Sequence, residues 1–241
     1  RVRADQRARF PAWCHGLGDG RSEQVPCEGH AILFGRTIAA TVPDDLPSTL
    51  AMAVMDVAGA PALTARVVEQ YVNRGSDPTV AVIGGAGKSG SLSLAAARDS
   101  GARRTVGIVP VQQESALLSE VELADVVAIA DARDPVALAT AVEQALDGPA
   151  DITVVCVDVP GCEHGAILAT SPEGGTVIFF SMATSFSAAA LGAEGLAADT
   201  TMLIGNGYTP GHAAYTFDLL RRSSGVRELF TRRLESESSR G

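Results

Sequence analysis

A short glycine-rich segment, GGAGKSG at residues 84–90, has the G-x-G-x-x-G spacing of a dinucleotide-binding loop. It follows an apolar, mostly β-branched run at residues 80–83 and opens an alanine-rich helical stretch at residues 92–98, the context in which this motif is informative. The first glycine permits a tight turn, the second lets the backbone approach a pyrophosphate, and the third lets the helix pack close to the strand. The phosphates would then lie on free N–H groups at the helix N-terminus. The coenzyme contacts predicted in this loop are Gly85, Ala86, Gly87, Lys88, Ser89 and Gly90.

The triplet GKS within this loop also resembles the end of a P-loop, a different phosphate-binding motif. That motif requires a glycine five positions before Gly87, where this chain has Val82. We therefore exclude the P-loop and retain the dinucleotide interpretation.

Strand-like and helix-like segments alternate along most of the chain. After the strand that leads into the glycine loop, strands are predicted at residues 105–109, 124–130, 152–157, 176–180 and 201–204. Helices are predicted at residues 48–57, 63–72, 135–146, 163–169, 212–222 and 226–233, followed by a loose polar tail at residues 235–241. This alternation is typical of a doubly wound α/β fold, in which six parallel strands take the order 3-2-1-4-5-6 and a ligand binds across their carboxyl ends.

Residues that directly follow the strands should line the coenzyme crevice. The candidates at these positions are Asp131, Val157, Ser181, Met182 and Asn206. At the tip of the second strand, where an acid would bind the adenosine ribose of NAD, the chain has Val109 and Pro110 instead. No arginine there marks a site for the 2′-phosphate of NADP, and Glu114, which could reach back, has a position typical of a helix surface. The sequence therefore favours NAD over NADP without deciding between them.

The composition limits the classes of partner. The 241 residues are 46% hydrophobic and carry a net charge of −9, which suits one large domain, or one domain and part of another. The acidic balance argues against nucleic acid or an anionic membrane as partner, and no apolar run is long enough to cross a bilayer. Four cysteines without a C-x-x-C pair predict reduced thiols in a cytoplasmic protein.

Residues 1–43 do not resemble a complete domain. One or two strands are predicted at residues 30–40, after a charged and glycine-rich beginning. The side chains of metal-ligating type in this region have no second pair at compatible spacing, so no metal site is predicted. These side chains are Cys14, His15, Cys27 and His30.

Two segments near the C-terminus resemble a known family. They are FFSMATSFSAAALGAEG at residues 179–195 and TTMLIGNGYTPGHA at residues 200–213, supported by GGAGKSG and by AVMDVAGAPA at residues 53–62. Over about residues 30–222 the chain resembles the L-erythro-3,5-diaminohexanoate dehydrogenases of lysine fermentation, a zinc-independent family of the medium-chain dehydrogenase superfamily. Zinc-dependent members of that superfamily place a cysteine or acidic ligand near the position of Ala60, which cannot bind metal.

The resemblance implies an activity and a domain plan. The activity is NAD-dependent oxidative deamination of the 3-amino group of a diamino acid, giving 5-amino-3-oxohexanoate, ammonia and NADH. The implied domains are an incomplete remnant of an N-terminal GroES-like β domain at residues 1–43, an NAD-binding Rossmann domain at residues 44–222, and a C-terminal helix and tail at residues 223–241. A homodimer that extends the sheet through the sixth strand is implied as well.

Oxidation of an amine requires a base that removes a proton from the substrate ammonium. The candidates are Glu194, in the LGAEG segment, and His212, at the start of a closing helix, although a structural role is open for each. From the sequence, replacement of Glu194 by Gln is expected to lower turnover. Two other functions also stay open: a zinc-free NADPH-dependent quinone or enoyl reductase of the same superfamily, and a dinucleotide-binding domain without chemistry of its own.

Overall fold

The computed structural model describes residues 32–238, which fall into two compact units. One unit is Val42–Thr231, and the described residues of the other are 32–41 and 232–238. The candidate metal-ligating side chains of the N-terminal region lie outside the described residues.

Residues 32–41 form a turn and no strand. The Thr37 N–H donates to the Phe34 carbonyl oxygen (2.9 Å), and the Phe34 N–H donates to the Thr37 hydroxyl (2.9 Å). The prediction of strands at residues 30–40 is therefore wrong for the part of this segment that the structure describes.

The unit Val42–Thr231 is built of alternating helices and strands. Its strands are β1 (Thr79–Ile83), β2 (Arg104–Val109), β3 (Val126–Ile129), β4 (Ile152–Val155), β5 (Glu173–Phe179) and β6 (Asp199–Ile204). Its helices are α1 (Ser48–Met55), α2 (Gly59–Val72), α3 (Lys88–Asp99), α4 (Gln112–Glu120), α5 (Pro135–Leu146), α6 (Glu163–Leu168), α7 (Phe186–Gly195) and α8 (His212–Arg222). The last helix, α9 (Ser224–Ser238), begins in this unit.

All six strands belong to one parallel sheet in the order β3-β2-β1-β4-β5-β6, which confirms the predicted fold and strand order. The register sets Ile83 level with Ile108 on one side and with Val155 on the other, and Val155 level with Phe179. The carboxyl ends of the central strands therefore meet along one line, which we call the carboxyl edge of the sheet. The opposite side is the amino edge.

The two central strands are buried along their whole length, as expected of a parallel sheet with helices on both faces. Ala81 and Ile83 pack into the core that contains α5, α6 and α7. The other face is covered by α2 and α3, which pack against each other. The outer strands β3 and β6 are only partly buried. This layering leaves the loops of the carboxyl edge free to form a crevice.

Two aspartates fix the amino edge in the same way. Asp151, which precedes β4, accepts hydrogen bonds from the N–H and hydroxyl of Thr79 at the start of β1 (2.7 and 2.9 Å). Asp125, which precedes β3, does the same for Thr105 of β2 (2.7 and 2.8 Å). Each carboxylate joins the start of one strand to the start of its neighbour and so helps to set the register between the two strands.

The differences from the predicted elements lie mainly in the helices. Helix α7 was not predicted, and α4 was indicated only by the helix-surface position of Glu114, without bounds. Helix α2 begins at Gly59, four residues before its predicted start. The predicted polar tail at residues 235–241 is wrong where it can be compared, because α9 continues to Ser238. Ser48 is the first residue of α1, and Pro47 occupies the N-cap position.

In the described part of the chain, no single helix has the length and apolar character needed to cross a membrane. Helices α1 and α2 meet these criteria only when taken as a pair, and the pair is bent by 58°.

Candidate functional site

The glycine loop joins β1 to α3 at the centre of the carboxyl edge. Gly84 takes a positive φ of 83°, and its carbonyl oxygen accepts the N–H of Gly87 (2.9 Å). The left-handed turn is thus made by Gly84, and the role predicted for Gly85 is corrected. Gly85 instead allows close packing, because a Cβ there would lie 2.9 Å from the Cα of Gly107 on β2.

Gly90 and Gly87 differ in how much space their surroundings leave for a side chain. A Cβ on Gly90 would overlap the carbonyl oxygen of Gly84 and lie 2.7 Å from the Gly84 carbonyl carbon. A Cβ on Gly87 would meet only that oxygen, at 3.1 Å. Gly90 therefore permits α3 to pack against the turn, whereas a Cβ on Gly87 makes a single tight contact. That Gly87 lets the backbone approach a pyrophosphate stays a prediction.

The start of α3 offers donors to an anion. Gly87 occupies the N-cap position and has no side chain that could accept a hydrogen bond. The N–H groups of Lys88, Ser89 and Gly90 lie in the first helical turn and therefore have no intrahelical acceptor either. Lys88 is the only lysine among the 241 residues and adds a positive charge at this point. Free N–H groups, the helix dipole and this ammonium together fit the pyrophosphate of a dinucleotide.

The other predicted coenzyme residues all follow a strand at the same edge. Asp131 lies two residues beyond β3, and Val157 two residues beyond β4. Ser181 and Met182 follow β5, and Asn206 follows β6. The structure therefore brings these positions to one edge with the glycine loop. Whether each contacts the coenzyme stays a prediction.

Asp131 is engaged by an arginine. Its carboxylate accepts three hydrogen bonds from the Arg133 guanidinium (2.7 to 3.2 Å). These hydrogen bonds hold the pKa of the exposed Asp131 carboxyl at about 2. The positive charge of Arg133 is compensated by the same pair.

Two carboxylates hold the β5–α7 loop, residues 180–185, one from the β4–α6 loop and one from the first residue of α6. Asp158 accepts the Ala183 N–H (2.9 Å) and the Ser181 hydroxyl (3.3 Å) on the same oxygen, Oδ1. Glu163 accepts the Ser185 N–H at 2.6 Å. The loop that carries Ser181 and its neighbours is thus fixed at both its ends by residues that follow the adjacent strand.

Glu163 is unusual because it is an acid in the interior. Its side chain belongs to a residue only 1% exposed, and in the described part of the chain its Oε2 atom has no hydrogen-bond partner. The hydroxyl of Thr184, next to Ser185, is also buried without a partner. Burial of a carboxylate oxygen in this state is costly. The hydrogen bond from the Ser185 N–H to Glu163, which links the start of α7 to α6, therefore carries the energetic cost of removing the Glu163 side chain from water.

His212 lies on the loop side of α8, beyond β6. It is 8% exposed, and its ring meets that of Tyr208 edge to face with centroids 5.4 Å apart. The preceding loop also touches α2, since a Cβ on Gly59 would overlap the carbonyl oxygen of Asn206. His212 therefore belongs to the carboxyl edge, as a base acting on a ligand there must.

Glu194 does not. Helix α7 starts at the carboxyl edge after β5 and runs back to the amino edge, where Asp199 opens β6 and its N–H donates to the Pro172 carbonyl (2.8 Å). Glu194 is the penultimate residue of that helix and is exposed, about 15 Å of helix from the carboxyl edge. This placement does not favour Glu194 as the catalytic base, and its catalytic role stays a prediction.

Replacement of Glu194 by Gln should leave turnover unchanged, because the side chain lies at the wrong edge of the sheet to reach a bound ligand. Steady-state kcat and KM of the variant are expected to stay within about twofold of the wild type, as is usual for an exposed substitution away from a site. A loss of more than tenfold in kcat would contradict this placement.

Of the two described cysteines, Cys156 is partly buried and Cys162 is buried. Cys156 and Cys162 are free, and burial raises the pKa of their thiols to about 12 and about 11. Among the described residues, no group of three histidine, cysteine, aspartate or glutamate side chains could hold a metal ion. Ala60, at the position where zinc-dependent dehydrogenases were expected to carry a ligand, is buried in α2.

Cys162 should resist alkylation in the folded protein. Its raised pKa means that the thiolate, the reactive form, is populated about 100-fold less at pH 8 than in an ordinary thiol, and the residue has no exposed surface. Iodoacetamide treatment followed by peptide mass spectrometry should label Cys162 only after unfolding in urea. Equal labelling rates in native and unfolded protein would refute the burial.

The parallel sheet of order 3-2-1-4-5-6 and the glycine loop at the start of α3 define a Rossmann dinucleotide-binding domain. Over 211 residues the chain is 44% identical to the L-erythro-3,5-diaminohexanoate dehydrogenases of Fusobacterium nucleatum and of Acetoanaerobium sticklandii. Each alignment covers 86% of this chain, and the chain spans 59% of the length of these curated relatives. The resemblance to this family predicted from the sequence is thus confirmed. No protein-family model matches the chain.

Solved structures agree on the fold. An alcohol dehydrogenase of Thermotoga maritima matches 79% of this chain and 51% of its own, with a TM-score of 0.60 and 18% identity. The D-arabinose dehydrogenase of Sulfolobus solfataricus matches 76% of this chain and 54% of its own, with a TM-score of 0.55 and 16% identity. Because the sequence identities are only 18% and 16%, these matches support the fold and nothing further.

Sequence reasoning missed three residues that shape this edge: Gly84, Asp158 and Glu163. Gly84 was part of the glycine run, and the run itself does not reveal which member takes the positive φ. Asp158 was visible as the acid next to Val157 at the end of a strand. Glu163 gave only the signal of an acid in the first turn of a short helix, which is ordinary on a surface.

Proposed function

We propose that this protein catalyses the NAD-dependent oxidative deamination of L-erythro-3,5-diaminohexanoate to 5-amino-3-oxohexanoate and ammonia. The observation that carries the proposal is the 44% identity over 211 residues to two dehydrogenases named for that substrate. The glycine loop at the carboxyl edge, with the free N–H groups at the start of α3, supports the use of a dinucleotide coenzyme in this reaction.

The reaction has two parts, and both require proton movement by the protein. The 3-ammonium of the substrate first loses a proton, and a hydride then leaves C3, giving an iminium. Water adds to the iminium, and ammonia departs as the ketone forms. NAD, when bound, supplies the hydride acceptor. The residues of the carboxyl edge orient the substrate and move protons.

The adenine end of the crevice supports NAD as the coenzyme. The cation beyond β3, Arg133, is already paired with Asp131, so its charge is compensated and a 2′-phosphate would gain little from it. Pro110 and Val111, at the tip of β2, are exposed and offer no charge to the ribose. Tighter binding of NADH than of NADPH, measured by fluorescence titration, is the expected consequence.

His212 is the candidate base that lies at the carboxyl edge. It is nearly buried at the carboxyl edge, close to the loop of Asn206 and Gly207, and a histidine suits proton transfer near neutral pH. We assign it the removal of the substrate proton and the activation of water.

The assembly we propose is a cytoplasmic homodimer that acts on a small amino-acid substrate and needs no nucleic acid or membrane. Ile204, on the edge strand β6, is 63% exposed, and Met202 and Leu203 are partly buried. An apolar edge strand with free N–H and C=O groups is suited to pairing with a second copy. The free thiols of Cys156 and Cys162 agree with a reducing compartment.

The proposal is tested with the full-length protein by following NADH absorbance in the presence of NAD and 3,5-diaminohexanoate. Simple alcohols, β-amino acids and quinones, each with both coenzymes, serve as controls. NADH formed with the diamino acid and not with the alcohols supports the proposal. NADPH-dependent reduction of a quinone or enone, with no reaction of the diamino acid, would favour the reductase alternative. Coenzyme binding without turnover of any compound would favour a non-catalytic domain.

A further inference from the structure

Asp158 is a carboxylate at the carboxyl edge that no cation among the described residues neutralises. It follows β4 by three residues and is exposed, in the half of the crevice formed by β4, β5 and β6, where a Rossmann domain places the reactive end of its coenzyme. In the part of the chain that the structure describes, no arginine, lysine or histidine lies within ion-pair distance of it. The aspartates that do face an arginine are Asp45, Asp99, Asp125, Asp131, Asp147 and Asp218.

The carboxylate of Asp158 is held in a fixed position. Its Oδ1 atom accepts both the Ala183 N–H (2.9 Å) and the Ser181 hydroxyl (3.3 Å). Within the described residues its Oδ2 atom accepts no hydrogen bond. A fixed, exposed carboxylate with one oxygen still available is suited to receive a charge-assisted hydrogen bond from an alkylammonium group.

Asp158 also lies close to the glycine loop, the proposed coenzyme-binding segment. The neighbouring Val157 lies against the turn of that loop, because its Cγ1 atom would be 2.6 Å from a Cβ on Gly84. A substrate that presents a carbon to the coenzyme at this point therefore lies within reach of the Asp158 loop.

We propose that Asp158 binds the ammonium group of the substrate that does not react and is thereby a specificity-determining residue for a diamino acid. This inference rests on the proposed function. A carboxylate favours the charged form of a neighbouring amine. It is therefore the wrong neighbour for the nitrogen at C3, which must lose its proton before the hydride leaves, and the right one for the nitrogen at C5, which stays protonated throughout.

Asp158→Asn separates this role from that of holding the loop. The amide oxygen of asparagine can still accept the hydrogen bonds of Ala183 and Ser181, so the loop keeps its anchor while the charge is lost. Asp158→Ala removes both. Asp77→Asn is the matched control, because Asp77 is an exposed aspartate at the amino edge, just before β1, and its loss changes the net charge equally.

The experiment compares 3,5-diaminohexanoate with 3-aminohexanoate, which lacks the second ammonium, in the full-length wild type and in these variants. The monoamino acid is measured as a substrate or as a competitive inhibitor. Asp158→Asn is expected to lower kcat/KM for the diamino acid roughly 10- to 100-fold, the usual effect of a lost hydrogen bond to a charged group, mostly through KM. The effect on the monoamino acid should be at least tenfold smaller, NADH affinity should be preserved, and Asp77→Asn should behave as the wild type.

Equal losses with both compounds would show that Asp158 only positions the loop and would overturn the proposal, as would the absence of any loss. If the wild type itself fails to oxidise the diamino acid, the proposed function fails and this assignment with it. The wild-type reaction therefore distinguishes the two failures.

Discussion

Gly90→Ala is expected to abolish measurable coenzyme binding and to destabilise the fold. The added Cβ would overlap the Gly84 carbonyl oxygen and lie 3.0 Å from the Cα of Gly85, so it meets backbone atoms that cannot rotate away. Overpacking of this kind costs about 3 kcal/mol, which corresponds to a fall in Tm of roughly 6–12 °C for a domain of this size. Thermal unfolding followed by circular dichroism and titration with NADH fluorescence measure the two effects.

Two other glycines provide controls for this substitution. Gly195→Ala adds a methyl group to the end of α7 with no atom within 4 Å, so Tm and NADH affinity should not fall. Gly87→Ala meets a single atom at 3.1 Å and should keep Tm nearly unchanged while NADH affinity falls, because its methyl group occupies the approach of the pyrophosphate. A Gly90→Ala variant with wild-type Tm and wild-type NADH affinity would refute the close packing of α3 against the turn.

His212→Gln is expected to lower kcat about 100-fold or more, with NADH affinity preserved. The size is that of a lost general base, and glutamine fills much of the same volume without the ability to take a proton near neutral pH. Because His212 is only 8% exposed and packs against Tyr208, Tm is measured in parallel to separate a folding defect from a chemical one.

The pH profile distinguishes a base from a structural histidine. A base gives kcat/KM a rising limb with pH, and that limb should disappear in His212→Gln. His164→Gln is the matched control, since His164 is an exposed histidine on α6, and its profile should follow the wild type. A His212→Gln variant that keeps the rising limb, whatever its kcat, would remove His212 as the base.

The sheet was predictable because its signals are local. The apolar runs that became β1, β2 and β4, the glycine loop and the alternation of strand with helix each depend on neighbours in the chain. Helix α5 agrees with its prediction at both ends, since Asp134 caps it through hydrogen bonds from Val136 and Ala137 and Pro135 opens it.

The helices that were missed or left without bounds lacked such clear patterns. Helix α4 follows a polar sequence after Pro110 and buries only Leu118, so its apolar periodicity is weak. Helix α7 begins with a hydrophobic run that includes Phe186 and resembles a strand or loop in isolation, although Ser185 caps it. In both cases packing against the sheet, which the sequence does not display, stabilises the helix.

Only those parts of the candidate site that directly follow a strand were predictable, because the direction of a parallel strand determines the edge at which the next residues lie. The residues that directly follow strands, such as Val157 and Asn206, lie at the carboxyl edge as expected. The edge at which Glu194 lies was not predictable, because a helix intervenes after β5 and the length of that helix decides the edge. Glu163 could not be predicted to be buried, because its partner Ser185 is remote in the sequence and the contact depends on the packing of α6 against α7.

The measurement that tests the central claim most directly is the ratio of ammonia released to NADH formed when the full-length protein acts on L-erythro-3,5-diaminohexanoate with NAD. Oxidative deamination at C3 requires one ammonia for each NADH, together with a 3-oxo product that retains its 5-amino group. A ratio of one, with that product identified by mass spectrometry, is the result that the proposed function requires. NADH without ammonia, or no NADH at all, would contradict it.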